Sequence, residues 1–97
     1  MKLRYLPRAI RDIIAIADYV AKRNPSTVRA VEMRIRAAAG LLSEYPEIGR
    51  KLDQRPDVRV LPVARYPYLI FYSVPGEEVI ILHIRHSARK PVDPNEL

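Results

Sequence analysis

The chain has 97 residues, which suits one compact domain, residues 1–97, with a hydrophobic core of its own. Hydrophobic residues make up 48% and no cysteine occurs, which excludes a disordered chain, a disulfide scaffold and thiolate metal sites. Lysine plus arginine number 17 against 11 acidic residues, and the resulting +6 attracts phosphate, anionic lipid or an acidic protein.

The first six residues, "MKLRYL", alternate apolar and basic and stop at Pro7, the pattern of a short strand. The period then changes. Ile10, Ile13, Ile14, Ala17, Val20 and Ala21 recur at helical spacing, with Ala9 and Ile16 widening the stripe. Arg8, Arg11, Asp12, Asp18 and Lys22 lie opposite, and Pro7 is tolerated at the first helical position. "KRNPST" breaks this helix, with Asn24 or Ser26 as the expected cap of the next. Val28, Val31, Ile35, Ala38, Ala39 and Leu42 form its apolar stripe, while Arg29, Met33 and Arg36 sit off it, towards water or a partner. A link this short predicts an antiparallel helical hairpin.

The segment "SEYPEIGRKLDQRPD", 43–57, reads as a long loop in which Ile48 and Leu52 pack and Glu44 and Glu47 are solvated. Three strands follow. "VRVLPVA" (58–64) contains Pro62, which fits an edge or a bulge. "YLIFYSV" (68–74) is apolar enough for a central strand, and Pro75-Gly76 turns it into "EEVIILHIRH" (77–86). Residues 87–97 are polar and proline-broken, and are expected to form an extended tail. The expected fold is α+β with the order β-α-α-β-β-β. An N-terminal strand and an antiparallel two-helix hairpin pack on a mainly antiparallel four-stranded sheet. The other sheet face, or part of it, is expected to be left with nothing in this chain to cover it.

Alternation in the last strand puts Val79, Ile81, His83 and Arg85 on one face and Ile80, Leu82, Ile84 and His86 on the other. His83 then reads as a half-buried sheet residue. His86, at the strand end, is the better acid/base candidate. Arg59, Arg65, Arg85 and Arg89 fall in or just beyond the strands, where planar guanidinium forks suit phosphate or carboxylate. Tyr68 and Tyr72 either stack on bases or anchor the sheet. Two histidines and no cysteine leave no expected metal site, and no cofactor motif occurs. No stretch reaches the ~20 apolar residues of a membrane span, and Ile13–Ala17 is too short for a secretory signal, so a cytoplasmic protein is expected.

"RVLPVARYPYLIFYSV" followed by "EVIILHIRHSARKP" resembles the C-terminal half of the RelE/ParE toxins of type II toxin–antitoxin systems. "LPRAIRDIIAIADYVA" and "LLSEYPEIGR" resemble the same family. The ParE-like branch is the nearer in "ARYPYLIFY" and "HSAR". That branch implies a stoichiometric poison of DNA gyrase, neutralised by an acidic antitoxin through which DNA is contacted, with no chemistry of its own. The RelE-like branch implies a ribosome-dependent mRNA endonuclease, for which Arg59, Arg65 and Arg89 match the basic cluster and His86 the acid/base group. An inactive basic binding module is a third reading. Arg29, Met33, Arg36, Arg65, Tyr68, Arg85 and Arg89 are the expected partner surface.

Overall fold

A computed structural model of the protein describes residues 1–88 and 93–97. The first strand, β1 (Lys2–Tyr5), leads into α1 (Pro7–Arg23) and, past a 3-10 turn (Pro25–Thr27), α2 (Val28–Glu44). Strands β2 (Arg50–Lys51), β3 (Val58–Pro62), β4 (Tyr68–Ser73) and β5 (Glu78–His86) follow, and a second 3-10 turn (Pro94–Glu96) closes the chain. The strands form one sheet in the order β1-β5-β4-β3-β2. The α+β architecture is as expected, with one addition. The two-residue β2, inside the segment read as loop, makes the sheet five-stranded rather than four. All pairs are antiparallel except β1 with β5, which is parallel from Lys2↔Glu78 to Tyr5↔Ile81.

The helices cover one face of the sheet. Ala9, Ile13, Val31, Ile35, Ala39 and Leu42 meet Ile70, Tyr72, Val79, Ile81 and Ile84 in the main core. The apolar stripe of α1 is wider than its contact. Ile10 and Ile14 stay 48% and 56% exposed, and the buried edge runs through Ala9, Ile13, Ile16 and Val20 instead. Neither Asn24 nor Ser26 caps α2. They close on each other, Ser26 Oγ donating to Asn24 Oδ1 at 2.8 Å, and α2 starts after the 3-10 turn with no side-chain cap.

The opposite sheet face is not wholly bare, in contrast to the fuller form of the expectation. Val58, Val60 and Phe71 are buried there under Leu52, Leu69, Leu82 and Leu97. The described part of the tail is correspondingly not extended. Ser87 and Ala88 turn, and the Pro94–Glu96 turn sets Leu97 on this second cluster. Arg55 holds it there, donating to the carbonyls of Pro94 at 3.0 Å and Leu97 at 2.7 Å. Its Nε and Nη2 grip Asp57 at the same time.

Candidate functional site

The chemistry-bearing end of the sheet is shaped by one irregularity. Phe71 pairs with His83 and Tyr72 with Ile81, so Leu82 is an extra residue that bulges out of β5. Past the bulge every side chain switches face relative to simple alternation. His83 therefore joins Phe71, stacked at 5.8 Å between ring centroids, and not Ile81 as expected. Ile84 and His86 turn under α1. The two histidines still point to opposite faces.

β1 leaves the sheet at this point. Leu6 N–H donates to Ile81 O, and beyond it the β5 edge has lost its strand partner. Asp12 of α1 takes over, one carboxylate oxygen accepting from Ile84 N–H at 3.0 Å and meeting His83 Nδ1 at 2.7 Å. That acceptor requires the hydrogen on His83 Nδ1. His83 is buried and committed to structure.

Between α1 and the ends of β4 and β5 lies a cleft of about 380 Å³ lined by Asp12, Ile16, Tyr19, Tyr68, Arg85 and His86, among others. His86 meets Tyr68 edge to face at 5.5 Å. Its Nδ1 accepts from Ala88 N–H at 3.0 Å, so the neutral imidazole carries its proton on Nε2. Burial pushes the Tyr68 phenol up from its ordinary pKa, and the nearby Tyr19 phenol adds to the shift.

Of the residues singled out from sequence, Tyr68 and His86 come together here, while Arg85 borders the cleft but pairs with Leu69 on the His83 face. Arg65 lies in the turn leading into β4, exposed and left-handed at φ 74°. Arg59 does not converge with them. It pairs with Tyr72, whereas His86 pairs with Tyr68 one turn of pleat further along and more. Its Nη1 is bound to the carbonyls of Glu47 and Gly49 at 3.0 and 2.8 Å, so it stitches the loop rather than gripping phosphate. Arg29, Met33 and Arg36 are exposed on α2, off its apolar stripe. Arg36 sits close enough to Tyr5 to offset part of the rise that burial imposes on that phenol. Glu44 and Glu47 are exposed. Arg89 lies outside the described residues.

Tyr72 is no base-stacking platform. It is fully buried, its hydroxyl donating to Pro46 O and accepting from Gly49 N–H, both at 2.8 Å. Sequence reasoning missed Asp12, Tyr19 and the Tyr72–Gly49 lock. The available signal was chemical: a tyrosine in a continuous apolar strand must find a partner for its hydroxyl.

A basic α+β domain with this strand order, helical hairpin and arginine-bearing strand ends is a RelE/ParE-type toxin fold. The structure is similar to one described as the chromosomal ParDE TA system from P. aeruginosa, with a TM-score of 0.79 and 25% identity, covering 89% of this chain and 95% of that one. It is also similar in fold to the isolated E. coli RelE toxin, with a TM-score of 0.65 and 20% identity, over 92% of this chain and 86% of that one. Residues 3–91 match the family described as the ParE toxin of the type II toxin–antitoxin system parDE, and the chain belongs to that family. It is 40% identical over 82 residues to Toxin RelE2 of Caulobacter vibrioides, covering 84% of this chain and 90% of the relative. It is 34% identical over 86 residues to the putative toxin Y4kP of Sinorhizobium fredii, covering 89% and 88%.

Proposed function

We propose that this type II toxin arrests bacterial growth by binding DNA gyrase in the cytoplasm, and that a cognate acidic antitoxin neutralises it. One observation supports the choice: among the described residues the sheet end offers His86 as its one unengaged acid/base candidate. Cleavage needs a 2′-hydroxyl deprotonated, a leaving oxygen protonated and a phosphorane stabilised. Arg59 is tied to backbone carbonyls at a different place, and Asp12 is tied to His83 and Ile84. Burial moves Tyr68 further from the range of a base at neutral pH. Among the described residues, that leaves His86 for two proton transfers. Titration of gyrase with the folded protein should give saturable binding, and no measurable association would remove the proposal.

A ribosome-dependent endonuclease is the second reading, favoured by His86 and Tyr68 meeting in one cleft. Primer extension on mRNA after induction separates the two. Codon-linked cuts that vanish in His86→Ala would establish cleavage instead.

The antitoxin part rests on charge and exposed apolar surface. The chain carries +6, and Ile10, Ile14, Met33 and Leu41 are exposed on the two helices. An acidic segment folding as an amphipathic helix on the hairpin would bury these anchors, with Arg29 and Arg36 and the sheet-end Arg65, Arg85 and Arg89 giving register. DNA would then be reached through the antitoxin and not by this chain directly. The solved structure described as a chromosomal ParDE TA system supports an antitoxin partner, without its mode of binding.

A further inference from the structure

The sheet face turned away from the helices is closed by a short piece of the chain's own tail. Val60 and Phe71 are 4% exposed with that piece in place, and Leu82 and Leu97 pack against them. Residues 93–97 make a tight turn. Asp93 Oδ1 accepts from Asn95 N–H at 2.9 Å, and Pro94 opens the 3-10 turn with its fixed φ. Two arginines from separate elements grip this turn. Arg55, before β3, donates to Pro94 O and Leu97 O, and Arg8, in the first turn of α1, donates to Glu96 O at 2.9 Å.

All of these grips are on main-chain oxygens, and the apolar cluster receives one tail side chain, that of Leu97. Asn95 and Glu96 are exposed. The attachment therefore recognises a turn and a leucine, and is indifferent to the residues between. It also sets a modest gain, a few hydrogen bonds and one leucine, against the entropy of ordering the whole turn. Closed and open arrangements then differ little in free energy, which is the condition for a latch.

We infer that residues 93–97 are a releasable strap, the resident occupant of a peptide-docking site, and that the open site takes a partner segment of the form Asp-Pro-x-x-Leu. The +6 charge favours an acidic segment and disfavours a second copy, which carries the same charge. Being tethered, the strap competes with any outside segment at an effective concentration on the order of millimolar, so closure masks the site. The site lies on the sheet face opposite the hairpin anchors Ile14 and Met33, and it does not depend on the gyrase reading.

The test is an NMR titration of the full chain with the acetylated pentapeptide Asp-Pro-Asn-Glu-Leu, comparing wild type with Leu97→Ser. Leu97→Ser removes the anchor, so the Val60 and Leu82 methyl signals should move before any peptide is added. The peptide should then bind saturably through Val60, Leu82 and Arg55, about 10-fold tighter than in wild type, where the closed strap dominates. Arg8→Gln removes one grip and leaves the apolar face intact, and should tighten binding about 3-fold. A pentapeptide with serine in place of its leucine should not bind. The inference is overturned if Leu97→Ser leaves the Val60 and Leu82 methyls unchanged, or if the pentapeptide fails to saturate that variant at millimolar concentration. It is equally overturned if wild type binds the pentapeptide as tightly, or if Ile14 on the hairpin responds in place of Val60. Shifts in Leu97→Ser that follow protein concentration alone would give the face to a second copy and overturn it too.

Discussion

Two residues show how tightly single contacts are set. A Cβ on Gly49 would lie 2.5 Å from the Tyr72 hydroxyl oxygen and 2.6 Å from its ring, so only glycine fits against this tyrosine. Gly49→Ala should destabilise by about 1–3 kcal/mol or more, because neither the buried ring nor the paired loop has room to yield. Tyr72→Phe keeps the packing but orphans Gly49 N–H and Pro46 O, and should cost about 1–3 kcal/mol. Urea denaturation measures both, and a Tyr72→Phe midpoint equal to wild type would show that the lock is not stabilising. Arg65 presents the opposite case, a long side chain held at φ 74°, where a non-glycine residue is strained. Arg65→Gly should therefore raise stability by up to about 1 kcal/mol. If Arg65 serves the partner surface, the same change weakens antitoxin binding. Stability and affinity moving in opposite directions is the signature to look for in thermal melts and titrations of one preparation.

At the level of elements, β5 is longer than the strand that flanks it, and α1 compensates with Asp12. Removing that carboxylate leaves Ile84 N–H and His83 Nδ1–H without an acceptor. Asp12→Ala should cost about 1–3 kcal/mol and speed amide exchange at Ile84, while Asp12→Asn, which keeps an oxygen acceptor, should cost less. The C-terminal turn depends on Arg55 in a comparable way. The hydrogen bonds from Arg55 hold the Asp57 carboxyl below its ordinary pKa. A carboxyl whose folded value is depressed contributes stability above its unfolded value of about 4, and that contribution is lost as pH falls through the lower folded value. Leu97 methyl contacts on the second cluster should therefore loosen on acidification below about pH 4, and Asp57→Asn should loosen them already at neutral pH. Both are read from methyl shifts. Much of this level was legible in sequence, since period and turn chemistry placed both helices and the three long strands. The failures share a cause. Face assignment by alternation broke at Leu82, because a bulge leaves no mark on an unbroken apolar run such as "VIILHI". The covering of the second face escaped notice because one leucine in a polar tail matters only once Arg55 has bent the chain back. Tyr68 and His86 could be found together because neighbouring strand ends imply proximity. Asp12 and Tyr19 could not, since helix-to-strand contacts depend on how α1 lies on the sheet.

For the whole molecule, charge and exposed apolar surface separate the speed of association from its strength. Apolar anchors on the helices should supply most of the antitoxin affinity, and the +6 field should supply the rate. Raising ionic strength should slow association far more than it speeds dissociation, and an on-rate insensitive to salt in stopped-flow measurements would exclude steering. Poisoning by binding also predicts a stoichiometric effect, whereas an enzyme acts at trace levels. The most direct measurement is a supercoiling assay with purified gyrase, relaxed plasmid and increasing folded toxin. Inhibition or trapped cleaved DNA should appear near molar equivalence with gyrase and be reversed by the antitoxin. Full supercoiling at a large molar excess of folded toxin would contradict the account.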